Sequence, residues 1–263
     1  MNFVRTMHHL AASGGTLMSK ALAAQPKAIL LSEIGPFVGQ VRFNPFDPVQ
    51  QFIRRYLAVD EKLLPGVHRG LFARRVLADR IRLIHEIASE SGYSLIVRDH
   101  AHSDLMRRVP NTRSSLLLAL AEGGLTPLSI VTVRDPIDSW LSSRENGWLH
   151  EVESFDEYCR RFLLLVRHFE PGKIFRYEDF VRNPQRTTQA ICFALELDFD
   201  PQFATRMSTI RLTGDSGRKS NEIVPRPRRT MAPEIVREVM ASVHYAEISN
   251  QLGYGLQGSV EKE

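Results

Sequence analysis

Apolar positions along the 263-residue chain follow two alternating patterns. Short apolar runs, most of them rich in Ile, Val and Leu, occupy roughly Asn2 to His9, Ala28 to Ser32, Ser94 to Arg98, Leu128 to Val133 and Lys173 to Phe175. Apolar runs of that length, set between helical segments, suit the strands of a parallel sheet covered on both faces. Between them, apolar residues recur at helical spacing. Leu71 to Ser91 puts Leu77, Ile81, Ile84 and Ala88 on one face with arginines on the other, and Glu151 to Phe169 and Pro184 to Leu195 read as helices. Pro233 to Leu252 reads as one C-terminal helix with proline in its first turn. Strands alternating with helices predict βαβ units, hence an α/β fold whose parallel sheet is covered on both faces. Two stretches follow neither period: "GQVRFNPFDPVQQF" near residue 45 and the basic, proline-bearing "LTGDSGRKSNEIVPRPRRTMAP" near residue 220. Long polar segments inside a compact α/β domain are functional loops or disordered ones.

Composition narrows the picture. With 43% hydrophobic residues, no repeats, no low-complexity tract and no evident linker, residues 1–263 read as a single domain. The net charge of +4 comes from 34 Lys and Arg interleaved with 30 Asp and Glu. That balance suits a small anionic ligand and argues against nucleic acid, which needs a basic stripe or face. Cys159 and Cys192 lie in helix-like segments without CxxC or metal-ligand spacing, so they read as reduced core cysteines. No apolar run approaches the ~20 residues of a membrane span, and "FVRTMHHLAA" is too polar for a signal-peptide core. The expected location is the cytoplasm.

The stretch "HHLAASGGTLMSKAL", His8 to Leu22, sets small residues between a strand and a helical pattern. Such a turn leaves backbone N–H groups at a helix N-terminus, where the helix dipole also favours an anion. Gly14 and Gly15 would let the backbone approach a phosphate, and Ser13 and Thr16 add hydroxyls. The GxxxxGK[ST] pattern of ATP and GTP sites is missing, since Ser19 stands five residues after Gly14 with no Gly-Lys pair nearby. Locally the stretch is an anion site or only a capped turn. In "LSIVTVRDPIDSWLSS" a strand runs out into Arg134, Asp135-Pro136 starts a helix, and Ser142 follows eight residues after Arg134. An arginine at a strand's carboxyl end offers a fork for phosphate; its alternative is pairing with Asp135 or Asp138.

The second stretch, RDPxDxxxS, resembles the 3'-phosphate motif of the sulfotransferases, which use 3'-phosphoadenosine 5'-phosphosulfate (PAPS). Other landmarks of that family follow in order. "AASGGTL" resembles the 5'-phosphosulfate loop, usually Lys-Ser-Gly-Thr-Thr. "LIVRDH" resembles the strand ending in Lys-Thr-His, "KIFRYEDFVRNP" the strand leading into Tyr-Glu-Asp, and "SGRKS" the late basic loop over the 3'-phosphate. The likeness spans about residues 3 to 230.

This resemblance implies a P-loop nucleotide kinase-like fold, a parallel sheet of about five strands flanked by helices, and a reaction that needs no metal. It implies that Ser13, Gly14, Gly15 and Thr16 hold the 5'-phosphosulfate, that Arg134 and Ser142 hold the 3'-phosphate with Arg218, Lys219 and Ser220, and that Tyr177 lies near the nucleotide. His100 falls where the family's catalytic histidine does, with His102 as the other candidate; a neutral imidazole is a suitable base at cytosolic pH. Arg98 takes the place of a lysine that stabilises the transferring group, keeping its charge as a planar fork. Asp99 replaces a small hydroxyl residue and would orient His100 or Arg98. The chief departure is Ala12, where the family has lysine. Arg98, His9 and Lys20 are the groups that would make up its charge, with Arg98 and His9 nearer than Lys20.

The expected activity is transfer of the sulfuryl group from PAPS to a hydroxyl or amine of a small molecule or glycan. Segments 43–70 and 144–158 would set acceptor choice, with Phe43, Phe46, Phe52, Trp148 and Phe155 as stacking or core aromatics, and residues 213–232 form the basic loop. Oligomeric state stays open. The alternatives are a non-catalytic nucleotide-binding relative, motivated by Ala12, and a nucleotide kinase, which the missing GK[ST] disfavours.

Overall fold

The computed structural model describes residues 3–36, 48–52, 69–149, 151–213 and 222–256. In chain order the elements are β1 (Phe3–His8), α1 (Gly15–Ala23), β2 (Ala28–Ile34), α2 (Pro48–Phe52), α3 (Arg69–Glu90), β3 (Ser94–Asp99), α4 (Ala101–Leu105), α5 (Ser115–Glu122), β4 (Thr126–Val133), α6 (Pro136–Glu145), α7 (Phe155–Val166), β5 (Ile174–Arg176), α8 (Tyr177–Arg182), α9 (Pro184–Ala194), α10 (Phe203–Arg206), α11 (Pro233–Ala241) and α12 (Val243–Leu252). The strands form one sheet in the order β2-β3-β1-β4-β5, every pair parallel.

The apolar runs become strands because each side chain finds a helix on its own face. Met7, Ile96 and Ile130 pack with α1, α8 and α9, while Val4, Leu95 and Val97 pack with α3 and α5, and Val131 and Val133 pack with α6 and α7. Strand alternation thus divides one continuous run between two layers. β1 lies between β3 and β4, with Met7 opposite both Arg98 and Ile130, so the ends of these three strands share one edge of the sheet. Carboxyl edges where the strand order switches direction are where α/β folds bind ligands. Among the described residues no helix is long and apolar enough to cross a membrane.

Two details differ from expectation. The C-terminal helix breaks at Ser242, whose hydroxyl accepts the Tyr245 N–H at 3.0 Å and donates to Asp156 at 2.6 Å, so the serine caps a second helix in place of continuing the first. On α3, Ile81 and Ala88 are buried as predicted, but Ile84 is exposed and joined by Leu83 and Ile87. Of the aromatics read as stacking or core residues, Phe155 is fully buried against Trp140 and Tyr245 at 5.2 and 5.4 Å, so it belongs to the core. Phe52 packs on Phe72 at 5.0 Å; Phe43 and Phe46 lie outside the described residues. Both cysteines are buried and reduced.

Candidate functional site

At the carboxyl edge of β1, β3 and β4 the chain encloses a cleft of about 510 Å³, lined by the loop after β1 and by residues that follow β3, β4 and β5. The loop is tightly constrained. Ala12 and Gly14 both have positive φ, 58° and 78°. A Cβ on Gly14 would lie 2.1 Å from the Tyr177 ring, and one on Gly15 would lie 2.4 Å from the His9 ring. Only glycine fits either contact. Helical bonding starts with the Leu17 N–H to the Gly14 carbonyl at 3.0 Å, so the amides of the preceding turn stand at the helix mouth. Gly14, Gly15 and Thr16 line the cleft. Ser13 does not bring its hydroxyl there: it is buried and donates to the Leu10 carbonyl at 2.7 Å, closing the turn from within.

The RDP segment meets this loop from β4. Arg134 lies over the Tyr177 ring at 5.1 Å and donates to the Ala12 carbonyl at 3.3 Å, and Ser142 lines the cleft farther along α6. Asp135 does not pair with Arg134. Its carboxylate caps α6 by accepting the Ile137 N–H at 3.0 Å, and it is bonded to Arg228, which also approaches Asp138 at 3.8 Å. Burial pushes Asp135 up to about 7, with Arg228 pulling the other way. Glu178, the residue after Tyr177, accepts the Asp135 N–H at 2.9 Å and the Tyr254 hydroxyl at 3.2 Å. The carboxylate of the "RYED" segment therefore ties that segment to "RDP" and leaves Tyr177 and Arg134 facing the loop.

Arg228 also carries its neighbours. Arg226 and Arg229 line the cleft, and Arg229 pairs with Glu145 of α6. Neither arginine was singled out from the sequence, because "VPRPRRT" has no period and their spacing matches no motif. Arg218, Lys219 and Ser220 lie outside the described residues. Of the described residues that flank that segment, Thr213 accepts through its carbonyl from the cleft residue Arg98 at 3.1 Å, and Arg226 lines the cleft.

His100 and His102 both line the cleft just beyond β3, their rings edge to face at 6.3 Å. The His100 backbone is pinned, donating to Ile34 at 3.1 Å and accepting from Ser103 at 3.0 Å, while its Nδ1 is buried without a hydrogen-bond partner among the described residues. Asp99 orients neither His100 nor Arg98. Its Oδ2 meets Nδ1 of His8 at 2.7 Å and accepts from Ser114 at 2.9 Å, and Nε2 of His8 meets the Thr6 hydroxyl at 2.9 Å. Adjacent strands put that histidine nearer than the residue that follows in sequence. Glu33, also unforeseen, lines the cleft through the irregularity between Leu31 and Ile34 and has a φ of 57°.

No family model and no curated protein matches the chain. Among solved structures it is similar to the sulfotransferase domain from the Synechococcus PCC 7002 olefin synthase, at 20% identity and a TM-score of 0.56, covering 97% of this chain and 96% of that one. It is also similar to the sulfotransferase domain from the curacin biosynthetic pathway, at 15% identity and a TM-score of 0.55, covering 97% and 99%. The fold is that of the sulfotransferases.

Within this sulfotransferase fold the three groups proposed to replace a loop lysine are placed very differently. Lys20 is buried in α1 and does not line the cleft. Arg98 is buried and crosses from β3 to the loop, where Nη2 donates to the Thr16 hydroxyl at 2.9 Å. His9 lines the cleft, but burial, and then the charge of Arg98, push its imidazole down to about 3. A histidine held neutral in the folded state and charged when unfolded costs stability in acid. The contribution is present above the unfolded value of ~6.5 and is lost as pH falls from there toward 3. Between pH 7.5 and pH 5 the loss amounts to about 2 kcal/mol. Urea unfolding at the two pH values should show wild type losing that much more than His9→Gln; equal losses would show that His9 is not held neutral.

Proposed function

We propose that this chain is a sulfotransferase that moves the sulfuryl group of PAPS to a hydroxyl or amine of a small molecule or glycan. The observation that carries the reading is convergence: the glycine loop, Arg134 with Ser142, Tyr177, Arg98 and His100, drawn from four parts of the sequence, line one cleft. The donor set suits a bisphosphate nucleotide. Amides at the α1 mouth face the 5'-phosphosulfate with Thr16, Arg134 and Ser142 face the 3'-phosphate, and Arg226 and Arg229 add charge from the segment that carries Arg218, Lys219 and Ser220. Bound there, the nucleotide supplies the sulfuryl group and a bisphosphate leaving group.

In this mechanism His100 takes the acceptor's proton as the acceptor oxygen or nitrogen bonds to sulfur. The bond from sulfur to the bridging oxygen breaks, and its electron pair leaves on the bisphosphate, where Arg98 and the loop amides meet the developing charge. Trp148, which lines the same cleft, gives the acceptor side an apolar surface.

Adenosine 3',5'-bisphosphate is expected to raise the melting temperature without magnesium, and Arg134→Ala to weaken its binding more than ~10-fold, about 1.4 kcal/mol. Absence of any shift would refute the sulfotransferase reading, and a response to ATP with magnesium instead would favour a kinase. Ala12 supports the second reading, a relative that binds the nucleotide without catalysis; bisphosphate binding with no transfer to any acceptor would establish it.

A further inference from the structure

The side chain of Ala12 is a methyl group on a left-handed backbone, so the loop itself brings no cation to the bridging oxygen. His9 cannot bring one either. Its Nδ1 lies 2.8 Å from the Leu10 carbonyl, which only accepts, so Nδ1 carries the proton and Nε2 carries a lone pair. Against that lone pair Arg98 Nε donates at 2.7 Å. The same guanidinium donates through Nη1 to Ser32 at 2.8 Å and the Thr213 carbonyl at 3.1 Å, and through Nη2 to Thr16 at 2.9 Å. Four partners from four segments hold the fork in one orientation beside the loop.

The nature of the partner on Nε matters. A carboxylate there would cancel the charge of Arg98 where it is needed, and a cation would repel it. A neutral imidazole fixes the geometry and itself cancels none of the charge. Glu33 pairs with the Nη2 end of the fork at 3.8 Å, away from the Nε that His9 holds. The fit of the ring is also specific, since Gly15 packs so close to it that no side chain could stand between.

We propose that His9 is a positioning residue: as a neutral acceptor it locks Arg98 against Thr16, so that β3 delivers to the phosphosulfate loop the positive charge that Ala12 lacks. This rests on the sulfotransferase reading. Arg98 is the group that touches the reacting atoms, and His9 acts only through it.

The isosteric pair His9→Asn and His9→Gln tests the idea. Glutamine sets an amide oxygen close to the place of Nε2 and keeps an acceptor for Arg98, whereas asparagine reaches only as far as Nδ1. Turnover of PAPS, to water or to an acceptor panel, is followed as bisphosphate release, with bisphosphate affinity measured alongside by calorimetry. His9→Asn should lower turnover more than ~10-fold with affinity changed less than ~3-fold, and His9→Gln should recover most of the rate. Adding Ala12→Lys to His9→Asn should restore turnover, which repair of a folding defect would not explain. Equal rates in the Asn and Gln variants, or no turnover by a wild type that binds bisphosphate, would overturn the proposal. Failure of the wild type to bind bisphosphate at all would overturn the underlying sulfotransferase reading instead.

Discussion

His100→Ala is expected to lower sulfuryl transfer at least ~100-fold while leaving bisphosphate affinity within ~3-fold, the signature of a lost proton acceptor. The ring stands past the end of β3 on a backbone fixed at both its amide and its carbonyl, and its Nδ1 has no hydrogen-bond partner among the described residues. Its neighbour His102 lines the same cleft, so the comparison variant is His102→Ala, expected to keep most of the rate. Mass spectrometry of sulfated products across hydroxyl and amine acceptors reads both. Full turnover in His100→Ala, with loss in His102→Ala, would move the base to the other ring.

Much of the fold was legible because parallel strands buried on both faces leave continuous apolar runs, and all five runs became strands. The site was legible where function constrains neighbours in sequence: Arg134 with Asp135 and Pro136, or Gly14 with Gly15. It was hidden where partners meet across the sheet. His8 and Asp99 are far apart in the chain, and nothing local tells that β1 and β3 are adjacent, so Asp99 was read as serving the residues beside it. Arg226 and Arg229 were hidden for another reason: their placement depends on tertiary contacts, Arg228 with Asp135 and Arg229 with Glu145, in a proline-broken segment without a period. Ser242 looked like a helix interior because both flanks keep helical spacing, and only its contact with Asp156 makes it a cap.

Gly14→Ala is expected to weaken bisphosphate binding more than ~100-fold, about 2.7 kcal/mol. Two costs combine at this position. A φ of 78° puts alanine in the left-handed region, at about 1–2 kcal/mol. The added Cβ would also stand 2.1 Å from the Tyr177 ring, in a place where Tyr177 is buried and cannot yield without moving. Displacing that ring disturbs Arg134, which lies across it and donates to Ala12, so one methyl group disorders both the 5' loop and the 3'-phosphate arginine. Gly92→Ala separates the two costs, since Gly92 has a φ of 74° but nothing within 4 Å of a new Cβ. It should show the strain alone, as a lower melting temperature with unchanged bisphosphate affinity in calorimetry. Equal affinities for the Gly14→Ala and wild-type proteins would mean that Tyr177 and the loop do not form the nucleotide site.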